Sequence, residues 1–349
     1  MSGVRQGWGT APQANARGST RWAIRVLVFC VIVMGSAALR MTNLQAQPLP
    51  PVEPQHSPAT LNVGIPQENA FSAEPPPFVG SGQADPLVNS VYPTDPSAYW
   101  HWILLPQGFL YRTYWASTQE PRLSTRAIRD SSRNFLDSQI GGRFGIVRFG
   151  DPDREEGFQV DLLGGANLRQ NIDTEGWDMT GTDYRFDVPL TWRRGPHAWK
   201  FGYYHVSSHM GDEFLQANPA VTRIDYFRDC TYLGYSYHVR PTLRVYGEVE
   251  YAFSRDFAEP WHLQFGFDWG PVEPTGLRGA PFFAINGNLR EELDFSGNVS
   301  LQAGWAWKGR GRTAGTLRTG PHYYNGGSPQ FSFYQENEQQ IGWGLWYDY

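Results

Sequence analysis

Lysine is almost missing from this chain. Of 29 basic residues only Lys200 and Lys308 are lysines, so arginine supplies nearly all the positive charge. Against 34 acidic residues this leaves a formal net charge of -5, with no basic stretch of the kind that binds nucleic acid. Cysteine is as scarce: Cys30 and Cys230 are the only two, which excludes a disulfide-stapled scaffold. A mean hydropathy of -0.47 excludes a bundle of membrane-spanning helices. No P-loop, dinucleotide fingerprint, zinc-ribbon spacing or HExxH is present, so no motif serves a nucleotide or a catalytic zinc. What the chain does have is aromatic residues: 14 Trp, 18 Tyr and 21 Phe, or 15% of the total.

Near the N-terminus Arg17, Arg21 and Arg25 lead into an apolar run from Val26 to Val33, followed by Gly35, Ser36, Ala37 and Ala38. That layout predicts a secretory signal peptide over residues 1–46, ending at Leu44-Gln45-Ala46. Its apolar core is about 14 residues, short of the ~20 a spanning helix needs. An uncleaved anchor is the alternative. Phe29 before Cys30 fits a lipoprotein site poorly. Removing residues 1–46 takes away five Arg and no acid, so the mature charge is 24 minus 34, or -10. Cys230 would then stand alone. Residues 47–97 hold 12 of the 26 prolines and neither Lys nor Arg, a composition that predicts an extended, disordered linker. The folded domain is expected over residues 98–349.

Within that domain the dominant signal is alternation. Phe295, Val299, Leu301, Ala303, Trp305 and Trp307 face Ser296, Asn298, Ser300 and Gln302; Leu243, Val245, Val249, Tyr251 and Phe253 face Arg244, Tyr246, Glu248 and Glu250. The same two-residue period runs through Tyr184–Trp192, Leu263–Trp269 and Phe158–Leu162. A strand points successive side chains to opposite faces, so each has one greasy and one charged face. Gly108–Trp115 reads as an imperfect strand and Ser124–Asp130 as a short helix or coil. The chain ends on Ile341, Trp343, Leu345, Tyr347 and Tyr349 at every second position. This ending resembles the terminal strand by which outer-membrane β-barrels are recognised for assembly. Aromatics near strand ends and strands of roughly 9–13 residues point the same way. The fold expected is all-β: an antiparallel transmembrane β-barrel of about twelve strands (10–14), counted between Gly142 and Tyr349, its lumen filled by polar side chains. A soluble β-sandwich on an uncleaved anchor is the rival. Placing the long 208–228 connection outside puts the C-terminus on the wrong side in this count, which marks one strand missed or added.

The densest polar cluster is Tyr203-Tyr204-His205-Val206-Ser207-Ser208-His209-Met210-Gly211-Asp212-Glu213. Trp199, Phe201 and Tyr203 set a face that His205, Ser207 and His209 continue. Residues two apart on a strand lie ~7 Å apart at Cα, within reach for an imidazole and a hydroxyl, the minimum for an activated serine. This His-x-Ser placement resembles the outer-membrane phospholipase A and the lipid A deacylase, barrels with a site on the outer wall. The resemblance covers His205 and Ser207 only. Both families add an Asn or Glu about a dozen residues after the serine; here Asn218 occupies that place, inside Ala217-Asn218-Pro219. The phospholipase follows its serine with Asn-Gly, whereas this chain has Ser208-His209. As metal ligands, His205, His209, Asp212 and Glu213 are suitable types, but histidines four apart on a strand are ~13 Å apart. The remaining reading is that Ser208, His209, Asp212 and Glu213 satisfy one another at a rim and fix the following loop. Cys230 reads as a wall residue and Glu291-Glu292 as a solvated pair.

From about Trp100 onward the chain resembles a family of bacterial outer-membrane proteins known as domain of unknown function 1207. The resemblance rests on Glu120-Pro121-Arg122, Phe201–Glu213, Leu301–Trp305, His322-Tyr323-Tyr324-Asn325-Gly326 and Gly342–Tyr349. It implies an outer-membrane setting and a single barrel, and no activity. The expectation is an integral outer-membrane protein with a structural, binding or limited transport role. The alternative is a lipid acyl hydrolase using Ser207, His205 and Asn218. Partners expected are outer-membrane lipids and the barrel-assembly machinery, with no nucleic acid. No cofactor is expected; Ca2+ enters only with the hydrolase alternative.

Overall fold

The computed structural model describes residues 100–349, other than 152–154 and 312–313. The expected signal peptide, the proline-rich linker and Cys30 lie outside the described residues. Thirteen strands run in chain order: β1 (His101–Leu104), β2 (Leu123–Asp130), β3 (Arg133–Asp151), β4 (Glu156–Asn171), β5 (Met179–Arg194), β6 (His197–Met210), β7 (Tyr226–Arg240), β8 (Leu243–Asp256), β9 (Trp261–Trp269), β10 (Ala280–Arg290), β11 (Gly297–Lys308), β12 (Thr316–Gly327) and β13 (Asn337–Asp348). A short helix, α1 (Asp212–Ala217), sits between β6 and β7.

From β2 to β13 each strand pairs antiparallel with the next, and β13 pairs back onto β2 from Gln340↔Asp130 to Tyr347↔Leu123. Twelve strands therefore close a ring. Closure leaves each strand of the ring hydrogen-bonded on both sides, the condition for crossing a bilayer by strands. The thirteenth strand, β1, is a four-residue strip on β3, beyond the ring. The outer face carries the apolar half of each alternation. Phe144, Phe186, Leu190, Phe201, Leu233, Phe253, Phe265, Ile341 and Trp343 all point outward and are exposed, Phe201 at 57% and Ile341 at 65%. A soluble sandwich would bury this face, so the pattern is that of a transmembrane barrel. The C-terminal stripe runs down this surface through Ile341, Trp343 and Tyr349, while Trp346 and Asp348 turn into the lumen.

Two parts of the expected layout change. Twelve is the right number, but the ring starts earlier, because Leu123–Asp130 is a strand and not a helix or coil. Its outward face holds only Leu123, Thr125, Ala127 and Arg129, too weak a stripe to announce itself. Seven strands, β7 to β13, follow the 211–225 loop, and that odd number puts Tyr349 at the opposite end, which removes the conflict over sides.

The second change is inside the ring. Gly108–Trp115 is not a strand but part of the β1–β2 connection, which leaves the wall at Leu105 and rejoins it at Leu123 after filling the lumen. Leu110, Tyr111, Tyr114, Trp115, Ala116 and Ser117 are all buried there. This plug has no ladder, so its carbonyls need donors from the wall. Arg148 Nη2 donates to the Gln107 and Gly108 carbonyls, Arg244 to those of Arg112 and Thr113, and Gln139 to Thr118. Arg122 donates to the carbonyls of Tyr114 (2.6 Å) and Trp115 (2.8 Å) and to Asp348 (2.8 Å). A forked guanidinium can serve a carboxylate and carbonyls together, which an ammonium does less well. Lys200 sits between Glu120 (3.2 Å) and Glu248 (2.7 Å), with its ammonium over the Tyr114 ring. The plug leaves and re-enters the wall beside two glycines. A Cβ on Gly145 would lie 3.0 Å from Pro106 Cγ, and one on Gly141 would lie 3.1 Å from the Arg122 amide nitrogen. The lumen holds charged and polar side chains as expected, and a folded-in backbone besides. One gap beside Arg112, Trp115 and Asp268 encloses about 20 Å3, room for a single water.

Candidate active site on the outer wall

Strand β6 alternates without a break. Ala198, Lys200, Gly202, Tyr204, Val206, Ser208 and Met210 turn inward, and His197, Trp199, Phe201, Tyr203, His205, Ser207 and His209 turn outward. Along the outer row the chemistry changes from aromatic to polar toward the end opposite Tyr349. The neighbouring strands are in register with that change: β5 places Phe186 beside His205 and Tyr184 beside Ser207. On the other side β7 places Asp229 beside His205 and Phe227 beside Ser207.

The decisive contact is between β6 and β7. His205 Nδ1 lies 2.8 Å from Asp229 Oδ1, and the Tyr203 hydroxyl donates to the same oxygen at 2.6 Å. A carboxylate on Nδ1 fixes the imidazole tautomer and leaves Nε2 as the ring's free base. Both groups are partly open, His205 at 39% and Asp229 at 21%. Ser207 lies one step along the same face. Among the described residues it makes no side-chain hydrogen bond to His205, so the pair is placed but not joined. On the far side of Ser207, His209 Nδ1 lies 3.4 Å from Asp225 Oδ1, and Arg223 Nε donates to that same oxygen at 3.2 Å. The Arg223 hydrogen bond, with help from His209, holds the exposed Asp225 carboxyl below the usual carboxylate range. Arg223 also reaches within 3.8 Å of Asp212.

The family model for proteins of unknown function named DUF1207 matches residues 86–349. The chain belongs to the DUF1207 family. No curated protein matches the sequence. Among solved structures, the outer membrane phospholipase A from Escherichia coli aligns with 69% of this chain and 95% of its own, at 12% identity and a TM-score of 0.46. The Salmonella typhi outer membrane phospholipase dimer with bound calcium aligns with 68% and 94%, at 13% identity and 0.44. These are distant likenesses of barrel architecture.

In this DUF1207 barrel the expected site residues separate. His205, Ser207 and His209 share the outer face. Ser208 faces the lumen, where it donates to Asp183 and meets the Ser332 hydroxyl at 2.7 Å. Asn218 caps α1, its side-chain amide donating to the Phe214 carbonyl at 2.8 Å. Asp212 and Glu213 open the first turn of α1. Among the described residues no three His, Cys, Asp or Glu side chains converge as metal ligands. Glu291 and Glu292 are not a solvated pair: Glu292 Oε2 lies 2.9 Å from His262 Nε2, and Glu291 accepts the Trp261 amide. Cys230 is a buried wall residue 2.9 Å from Arg228 Nε. Asp229 went unnoticed in the sequence. It was readable as an oddity, a carboxylate in the outward row Phe227, Asp229, Thr231, Leu233, but only the register shows that it faces His205.

Proposed function

We propose that this protein is an outer-membrane barrel whose outer wall hydrolyses an acyl ester of a membrane lipid, with Ser207 as nucleophile, His205 as base and Asp229 as the residue that orients it. The carrying observation is the 2.8 Å His205–Asp229 contact beside Ser207 on the lipid-facing side. A carboxylate and an imidazole on that surface are costly without a role. Their position supports the reading too. Phe186 and Phe253 stand level with His205 and Asp229, Phe201 covers the wall toward its middle, and the charged loop of Asp212, Arg223 and Asp225 stands at its end. A lipid's ester group occupies this kind of boundary between hydrocarbon and headgroup. The site lies at the end away from the C-terminal Tyr349, and with that terminus on the periplasmic side it opens on the outer leaflet.

In the proposed reaction the Ser207 hydroxyl attacks the ester carbonyl while His205 Nε2 takes its proton. The tetrahedral adduct collapses, the C–O bond to the glycerol or sugar breaks, and His205 returns the proton to the departing oxygen. Water, deprotonated by the same imidazole, then releases the fatty acid from Ser207. Asp229 stays charged and steadies the imidazolium in both halves.

The test is fatty-acid release from phospholipid and from lipid A by protein folded in detergent, with and without Ca2+. Wild type releases fatty acid. Ser207→Ala abolishes release, and Asp229→Asn lowers it by roughly 100-fold or more. Folded wild type that releases nothing from either lipid sinks the proposal. The second reading is then a structural or binding barrel in which these groups only fix the 211–225 loop, and the Arg223–Asp225–His209 chain favours it. Transport has the least support, because the plug fills the lumen.

A further inference from the structure

The outward site has an inward support. Between β12 and β13, residues 328–336 fold into the lumen at the end opposite Tyr349, with Phe331, Ser332 and Phe333 buried in one turn. Ser332 lies directly behind the polar row. Its amide donates to Ser208 Oγ at 2.8 Å, and its hydroxyl meets Ser208 Oγ at 2.7 Å. Ser208 is the neighbour of Ser207, and its own hydroxyl also donates to the buried Asp183 of β5. The Ser332 hydroxyl also lies 3.3 Å from the Ile224 carbonyl, one residue before Asp225, and its single proton is shared between that carbonyl and Ser208 Oγ.

The same loop holds the outer connection at two further points. Phe333 meets Phe214 of α1 edge to face at 5.1 Å, and Phe331 stacks on Tyr226, the first residue of β7, at 5.0 Å. It also touches the plug, where Gln119 Nε2 donates to the Pro329 carbonyl at 2.6 Å. One buried turn therefore grips β6 behind Ser207, β7 just ahead of Phe227 and Asp229, and the loop that carries Asp225.

We infer that Ser332 is a positioning residue for the outer-wall site, the point at which an inward loop fixes the β6 and β7 backbones that present Ser207, His205 and Asp229. The inference rests on the hydrolase reading for its kinetic consequence and on geometry alone for its structural one. A hydroxyl and an amide acting together on Ser208 set how far β6 stands from the lumen. Losing the hydroxyl frees the Ile224 carbonyl and leaves Ser208 held from this loop by the Ser332 amide alone. Ser332 touches no lipid, so substrate affinity is untouched while the reacting groups drift.

The experiment compares wild type, Ser332→Ala and Ser332→Thr by fatty-acid release from detergent micelles of phospholipid. It also measures the motion of a nitroxide label on a Ser207→Cys protein, with and without Ser332→Ala. The expected result is kcat lowered roughly tenfold at unchanged KM in Ser332→Ala, recovery in Ser332→Thr, and a more mobile label. Unchanged kcat with an unchanged label overturns the inference, as does a rise in KM alone, which would put Ser332 on substrate binding. If wild type shows no release, the hydrolase reading has failed by itself. The label then decides the positioning role, and a label indifferent to Ser332→Ala ends it. Should Ser332→Ala fail to fold, Phe333→Leu loosens the same loop at Phe214 and must move the label in the same direction.

Discussion

Arg122 shows what one residue does in this lumen. Fully buried, it serves Asp348 and two plug carbonyls at once, and Asp348 is shared with Arg318 Nε at 2.7 Å. Removing Arg122 leaves Asp348 paired with Arg318 alone and takes a donor from two buried plug carbonyls, so Arg122→Ala should destabilise the barrel by about 2–5 kcal/mol. Arg122→Lys should recover little of that, because one ammonium cannot meet three acceptors in the same plane. The temperature at which the folded gel band converts to the unfolded one measures both. A Lys variant that melts like wild type would show that charge alone, without the fork, holds the plug. In sequence the pair is 226 residues apart. Nothing local in Glu120-Pro121-Arg122 announces it, for the same reason that Asp229 passed unseen: both partners are assigned by register.

At the scale of elements, alternation identifies a strand only when one face is apolar throughout. β8 and β11 meet that condition and were legible. β2 does not, since Thr125 and Arg129 interrupt its outer face, and the plug mimics it for a few residues with Phe109, Tyr111 and Thr113. The plug is better described by its partners: Tyr114 stacks on Tyr246 at 3.9 Å and donates to Glu248 at 2.9 Å. Tyr114→Ala should cost about 3–5 kcal/mol, in the range of large aromatic truncations. Replacing residues 107–119 with a short Gly-Ser linker should, in protein that still folds, give ion conductance in planar bilayers where wild type gives none. Closed bilayers with a folded, plugless ring would mean that wall side chains alone block the lumen.

For the whole molecule, the charges are inside and the grease is outside. Phe201→Arg, on the exposed outer row, should destabilise by about 2–4 kcal/mol in lipid if it lies near the bilayer midplane. Unchanged stability in lipid vesicles would place this row away from hydrocarbon. The lumenal ion pairs are shielded from solvent, so the melting temperature in detergent should barely move between about 0.05 and 1 M salt, a roughly twentyfold range that screens surface pairs strongly. The plug adds a constraint of timing. Its two exits from the wall, Leu105 at Ile146 and Leu123 at Ile140, both lie on β3, so the tucked loop can be held by a single strand before any ring exists. The Arg, Gln, Glu and Asp groups that grip it come from strands made as late as β12, with Arg318, and β13, with Asp348. The ring is thus wound around its own filling, and the β2–β13 seam is the step that locks it. A chain caught before that step should have its plug open to protease, and one past it should hold the plug until the seam itself opens.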